Sequence, residues 1–232
     1  MKNLDQQKAL VCLSGGQDSV TCLLQAVQTI GADKVYAVAF NYGQRHAIEL
    51  DCAKTTAKIL GIAGFYLLDL PVLRQIGNSA LLDNADVNKT KDGLPASFVP
   101  GRNIILLSSA AALAYKLDCG QLITGVSETD YSGYPDCRDY TIKFLETTLN
   151  AGMETDLKII TPLMHKTKAD TWELAYQLDP KHGVELIREH THTCYNGNHT
   201  VKHPWGYGCG ECPACNLRQR GYEEFMTRRE QQ

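Results

Sequence analysis

Apolar and polar positions follow two rhythms along this chain, and the two rhythms take turns. Lys8–Leu13 (KALVCL) and Lys34–Asn41 (KVYAVAFN) are short apolar runs, the second rich in β-branched and aromatic residues, and both read as buried strands. Ser19–Thr29 and Glu49–Leu60 carry the helical period instead, with Gly31 and Gly61 as stop signals. Phe65–Leu70 reads as a third strand ended by Pro71, Gln121–Gly125 as a fourth and Lys158–Ile160 as a fifth. The Ala-rich stretch Asn103–Leu117 predicts a strong helix with Asn103 as its N-cap. Further helices are expected at Asp139–Ala151, Thr167–Leu178 and Cys212–Arg229. This alternation implies βαβ units and an α/β fold, a Rossmann-like parallel sheet with helices on both faces.

Near residue 190 the rhythm stops. THTCYNGNHTVKHPWGYGCGECPACN is rich in Gly, His and Cys and has little apolar periodicity. The expected division is therefore an α/β unit over 1–189 and a small C-terminal region over 190–232. Asn78–Pro100 is polar and unpatterned, and a loop of that length in a compact domain reads as a lid or a disordered segment.

Composition narrows the function classes. The chain has 232 residues, 44% hydrophobic and 21% charged, with a formal charge of −3, which describes a soluble globular protein. A protein gripping long nucleic acid by its phosphates would carry a basic surplus, so small-molecule chemistry is expected and nucleic acid is not. MKNLDQQKALVCL has no long apolar segment or small-residue cleavage site, and no run approaches 18 apolar residues. The expectation is a cytoplasmic chain without a signal peptide or membrane span. Nine cysteines in such a setting are mostly reduced thiols.

The candidate chemistry begins at LSGGQDSV, residues 13–20, between the first strand and first helix. Such a turn presents backbone N–H groups and a positive helix end to an anion. Gly15 and Gly16 allow close approach, Ser14 and Ser19 add hydroxyls, and Asp18 can orient the loop or reach Mg²⁺ on a polyphosphate. A Walker-type loop has a lysine for the terminal phosphates and this turn has none, so it is expected to cradle a departing pyrophosphate. The bland alternative is a tight connection capped by serine or aspartate.

The pattern S-G-G-x-D-S resembles the PP-loop ATP pyrophosphatase superfamily, whose fold is adenine nucleotide alpha hydrolase-like. The resemblance implies cleavage of ATP to AMP and pyrophosphate, with an acceptor oxygen adenylylated. It places ATP on Leu13, Ser14, Gly15, Gly16, Gln17, Asp18, Ser19, Val20, Thr21, Cys22 and Leu23. Thr161-Pro162-Leu163 resembles a later element of the superfamily, which assigns Lys168 to the phosphates and makes Asp18 and Lys168 catalytic candidates.

FNYGQRH (40–46), FVPGRN (98–103), ITGVSETDYSGYPDCRD (123–139), and CYNG followed by CGECPACNLR resemble the QueC family along nearly the whole chain. Val20 after the loop serine and His165-Lys166 before Lys168 are small departures. The resemblance implies a carbon–nitrogen ligase of queuosine biosynthesis. Its substrates would be 7-carboxy-7-deazaguanine, ATP with Mg²⁺, and ammonium, and its product the nitrile 7-cyano-7-deazaguanine. It also implies a homodimer. Within SGYPDCR, Tyr134 offers a stacking face, Asp136 can accept from the base and Arg138 can pair with the substrate carboxylate, which makes Asp136 and Arg138 catalytic candidates as well; the bland alternative is a Pro-Asp turn capping the next helix, with Arg138 as a surface charge. Arg102 faces either ligand or solvent, and Tyr42, Gln44, Arg45 and His46 lie on the same crevice edge. The alternatives are a PP-loop tRNA thiolation enzyme and an ATP-binding module without turnover.

Cys209, Cys212 and Cys215 recur every three residues, with Cys194 upstream. The spacing permits one tetrahedral thiolate site, and four cysteines around zinc leave no open position, so a structural Zn²⁺ is expected. An iron–sulfur cluster is the alternative, weakened because Cys215 has no C-x₃-C-P continuation. His190, His192, His199 or His203 can replace one ligand. Cys12, Cys22, Cys52 and Cys119 read as small core hydrophobes, and Cys137 as packing or a catalytic thiol beside the substrate.

Overall fold

The computed structural model describes residues 1–43, 48–76, 90–91, 94–95, 98–128 and 134–231. Gln44, Arg45 and His46, and most of the segment from 78 to 97, lie outside the described residues. In chain order the elements are β1 (Asp5–Cys12), α1 (Gln17–Ile30), β2 (Val35–Asn41), α2 (Ile48–Ile59), β3 (Gly64–Asp69) and α3 (Val72–Ile76). Next come the two-residue strands β4 (Thr90–Lys91) and β5 (Leu94–Pro95), then α4 (Arg102–Leu117), β6 (Cys119–Ile123), α5 (Asp139–Met153) and β7 (Lys158–Ile160). The chain finishes with α6 (Lys168–Leu178), α7 (Gly183–His190), β8 (Lys202–His203), β9 (Gly206–Tyr207) and α8 (Pro213–Glu230).

The main sheet has five parallel strands in the order β3-β2-β1-β6-β7. Alternate residues of a strand go to opposite faces. Ala9, Val11 and Leu13 therefore join one core, while Leu10 joins another. The first core takes in Val20, Leu23 and Ala26 of α1, Ala53 of α2, Trp172 of α6 and Ile187 of α7. The second takes in Leu107, Ala110, Ala111 and Ala114 of α4 and Ile142 of α5. The strand order reverses between β1 and β6, and their carboxyl ends open the crevice where ligands of such sheets bind.

The expected strands and long helices appear within a few residues of their expected ends. Helix α7 was not expected. It is only eight residues long and exists because of packing: Leu186 and Ile187 are buried, and a Cβ on Gly183 would strike the Ala175 carbonyl. The N-cap expectation for Asn103 is corrected. Helix α4 starts at Arg102 after Gly101, which has φ +69°. The Asn103 N–H donates 2.9 Å to Asp136 Oδ2, so a distant carboxylate caps this helix.

Past residue 190 the chain still packs on the first core through Cys194, Trp205, Cys212, Cys215 and Phe225. Arg218 holds this region down. Its guanidinium is fully buried, with Nε 3.0 Å from Trp205 O, Nη1 2.8 Å from both Thr191 Oγ1 and Thr193 Oγ1, and Nη2 2.8 Å from Ile187 O. All four acceptors are neutral, and burial lowers its pKa to about 10. It also lies 5.5 Å from the Trp172 ring. One side chain thus ties α7, the 191–205 segment and α6 to α8. Arg218→Met would leave several buried acceptors unpaired, each costing about 1–3 kcal/mol. We expect urea unfolding to show a loss of about 3 kcal/mol or more; an unchanged midpoint would show that these bonds contribute no net stability.

Candidate functional site

The turn after β1 is built on contacts that only glycine permits. Gly15 has φ +85°, and a Cβ there would lie 2.9 Å from Ala53 N and closer still to Glu49 O, both backbone atoms of α2. Its carbonyl accepts from His192 N–H at 2.9 Å. Ser19 Oγ donates to Gly16 O at 3.1 Å and accepts from Ser14 N–H at 3.2 Å. The two serines therefore brace the turn. Gly16 is the N-cap of α1 and no side chain caps it, so the first-turn N–H groups are not consumed by a side chain.

Leu13, Ser14, Gly15, Gly16, Gln17, Asp18, Ser19 and Val20 through Leu23 occupy this turn and the first turns of α1. Leu13, Val20, Cys22 and Leu23 are core residues, so what they lend the site is position. Gln17 is 2% exposed, and among the described residues neither of its amide atoms nor Asp18 Oδ1 has a hydrogen-bond partner. Lys168 reaches the turn from 150 residues away. It is the first residue of α6, whose capping box joins Thr167 and Asp170. Its Nζ meets Asp18 Oδ2 at 2.6 Å, and the lysine is 9% exposed. A Cβ on Gly221 would lie 2.5 Å from Lys168 Cβ, so α8 seats directly on this lysine. Gly125, after β6, lies against Asp18 in the same way.

A second cluster surrounds Arg102. Its guanidinium lies 5.8 Å from the Tyr134 ring and bonds the Tyr42 hydroxyl; Asp136 and Cys137 are among its electrostatic neighbours. Tyr134 stacks on Phe98 with centroids 5.8 Å apart. Asp136 is buried in a 3-10 turn, and Asn103 Nδ2 donates 3.0 Å to Cys137 Sγ. Arg138 is exposed and its Nη1 donates 2.9 Å to the Tyr140 hydroxyl. Burial pushes the Tyr42 hydroxyl above its ordinary pKa, although Arg102 pulls it down. Glu49 and Tyr195 belong to this cluster and were missed. Their sequence signal was slight: an acid in a helix first turn reads as a dipole complement, and a tyrosine beside Cys194 reads as part of a metal knuckle.

The sulfurs of Cys194, Cys209, Cys212 and Cys215 lie within 4.8 Å of one another. A tetrahedron around one ion with metal–sulfur bonds of about 2.3 Å has edges of about 3.8 Å, so the set fits one metal ion. The N–H groups of Glu211 and Cys212 point at Cys209 Sγ, at 3.4 and 3.3 Å, as they would at a thiolate. The Cys212 thiol is brought down to about 5 by the neighbouring Cys215. No histidine belongs to this set among the described residues. His192 Nδ1 meets His199 Nδ1 at 3.1 Å and its Nε2 meets Cys194 O at 3.0 Å, while His203 stacks on Trp205. Cys22, Cys52 and Cys119 are buried and Cys12 half-buried, and burial raises all four thiols.

Gly15→Ala forces a strained φ and a backbone clash at once. With ATP held on this turn, as its sequence pattern implies, affinity should fall at least about tenfold by calorimetry, since a few kcal/mol of strain falls on the turn. Unaltered affinity would contradict the packing of this turn on α2.

A family model described as queuosine biosynthesis protein QueC matches residues 8–226. A 7-cyano-7-deazaguanine synthase of Alkalilimnicola ehrlichii (strain ATCC BAA-1101 / DSM 17681 / MLHE-1) is 51% identical over 225 residues, covering 93% of this chain and 94% of the relative. The 7-cyano-7-deazaguanine synthase 1 of Rhodopseudomonas palustris (strain HaA2) is 48% identical over 237 residues, covering 97% of this chain and 98% of the relative. Among solved structures, an NH3-dependent NAD synthetase from Campylobacter jejuni aligns with TM-score 0.46 at 16% identity, over 79% of this chain and 68% of that one. No helix of the described residues is long and apolar enough to cross a membrane. The match spans the glycine turn after β1, the Arg102 cluster and the four cysteines alike, and the chain belongs to the QueC family of queuosine biosynthesis proteins.

Proposed function

We propose that this chain is an ATP-dependent carbon–nitrogen ligase converting 7-carboxy-7-deazaguanine and ammonia to 7-cyano-7-deazaguanine in queuosine biosynthesis. The relatives that support this reading match almost their full length. The structural observation that carries it is the meeting of Lys168 with Asp18 at the uncapped start of α1. A cation and a carboxylate there suit a magnesium-bound polyphosphate: Lys168 neutralises phosphate charge and Asp18 holds the Mg²⁺ that accompanies ATP.

A carboxylate is a poor electrophile, and adenylylation gives it AMP as a leaving group. Ammonia displaces AMP to form the amide. A second adenylylation, on the amide oxygen, lets that C–O bond break and leaves the nitrile. The backbone N–H groups around Gly15 and Gly16 hold the departing pyrophosphate both times, so two ATP are consumed per product. The Arg102 cluster would take the base. Tyr134 supplies a face, Asp136 accepts from the base with its remaining lone pairs, and Arg102 and Arg138 offer charge to the substrate carboxylate, Arg102 from inside and Arg138 from the rim. The enzyme's work is positioning and charge stabilisation. In a defined mixture of 7-carboxy-7-deazaguanine, ammonium and ATP, mass spectrometry should find the nitrile with two AMP and two pyrophosphate per product. ADP and orthophosphate as nucleotide products would refute the reading.

The metal is read as one structural Zn²⁺ that ties segment 190–232 onto the ATP-binding unit 1–189. The support is an all-thiol set with no open position and too little room for a cubic iron–sulfur core. The cytoplasmic setting is read from cysteine usage, four of the nine gathering in one thiolate set as in reducing compartments. The homodimer rests on family resemblance and on the bare rings of α5, with Phe144 72% and Tyr140 52% exposed. Metal analysis should give one colourless zinc per chain. Cys212→Ser should reduce that content and lower the melting temperature by several degrees; a visible-region chromophore would point to iron instead.

A further inference from the structure

The proposed reaction has a proton requirement that no residue assigned so far meets. Nitrogen enters as ammonia with three protons and leaves as a nitrile with none. In the first stage its lone pair attacks the acyl carbon, the C–O bond to AMP breaks with its electron pair, and one proton must leave nitrogen. In the second stage the amide oxygen attacks the α-phosphorus of ATP and pyrophosphate departs. Two further protons then leave nitrogen as the C≡N bond forms and the second AMP takes its oxygen and electron pair away.

We propose, resting on that reading of the reaction, that Glu49 is the general base that takes these protons. Its position is set by the fold. Glu49 lies in the first turn of α2, whose backbone is in contact with Gly15 of the nucleotide turn. Its carboxylate lies in the field of Arg102, and Arg102 in turn lies over Tyr134 and beside Asp136 and Cys137. Glu49 therefore touches the turn assigned to the phosphates through its backbone and the cluster assigned to the base through its side chain, which puts it where the two meet. Among the described residues, the ionisable groups around it are Tyr42 from the end of β2, Arg102 from α4, Cys52 from α2 itself and Tyr195 from the cysteine knuckle.

The neighbouring acids and bases already have other work. Asp18 faces Lys168, and Asp136 caps α4. His192 is enclosed between His199 and Cys194 O, and Cys137 takes a hydrogen bond from Asn103. Desolvation pushes the Glu49 carboxyl up to about 7, against the pull of Arg102. A carboxylate of that basicity takes protons effectively near neutral pH. Part of the residue remains exposed while its carboxyl is desolvated, so each proton passes to water as substrates and products exchange.

The test separates proton removal from binding. Adenylylation of the acid moves no proton, and it can be followed alone as exchange of labelled pyrophosphate into ATP, dependent on 7-carboxy-7-deazaguanine. In Glu49→Gln, amide and nitrile formation should fall about 10²–10⁴-fold, while exchange falls less than about tenfold. Glu49→Asp should recover part of the lost rate. With the purified amide as substrate, so that ammonia's own titration drops out, wild-type kcat should rise with pH through about 7. The rise reflects a base that works only when deprotonated, and it should be absent in Glu49→Gln. Equal loss of exchange and nitrile formation would make Glu49 a positioning residue and overturn the proposal, as would retention of both. Wild-type protein without acid-dependent exchange would instead reject the reaction itself.

Discussion

One residue without a side chain organises this molecule. Gly15 lets the loop after β1 lie directly on the backbone of α2, at a distance no Cβ tolerates, and its carbonyl takes a hydrogen bond from His192. Three parts of the chain meet at that point: the central strand, the second βα unit and the metal knuckle. The consequences spread from there. The start of α1 is left without a side-chain cap, α2 brings Glu49 to the loop, and His192 connects the loop to Cys194 through its ring. The phosphate role proposed for this loop needs such rigidity, because N–H groups that must reorganise around an anion stabilise it less.

The electrostatics follow the same geometry. The chain is nearly neutral overall, yet Lys168, Arg102 and Arg218 all stand inside or against the crevice. They are balanced differently. Lys168 has a carboxylate, Arg102 has tyrosines with Glu49 and Asp136 nearby, and Arg218 has four neutral oxygens. Arg218 has Cys215 and Asp18 among the charges that favour its protonated form. Four thiolates holding one divalent ion, as proposed, would carry a net charge of about −2, part of which this cation would offset. Burying such a cation is costly. Here the cost fixes the knuckle against α6 and α7, which positions Lys168 through α8.

Legibility in the sequence varied with the range of the interaction that decides each feature. Strands, long helices and the turn at 14–19 depend on neighbours within a few residues, and KALVCL, KVYAVAFN and SGGQDS declare them. The cysteine triplet declares itself for the same reason, since thiols three apart at a helix start must converge. Asn103 was misjudged because a helix cap can come from any distance: the oxygen that serves α4 belongs to Asp136, 33 residues later. Helix α7 escaped notice because it is only eight residues long, too short for its period to stand out, and it is held by its packing on Ala175, Leu24 and the core.

The amino-acid sequence by itself therefore determined the α/β class, the glycine turn after β1, the four-thiol set and the family, all carried by short-range patterns. Tertiary structure alone decided which groups face one another. It set Lys168 on Asp18 across 150 residues, buried Arg218 among neutral oxygens, and brought Glu49 beside Arg102. The physical reason is that charge, desolvation and hydrogen-bond direction depend on distances in space, and a linear pattern holds no record of those until the chain has folded.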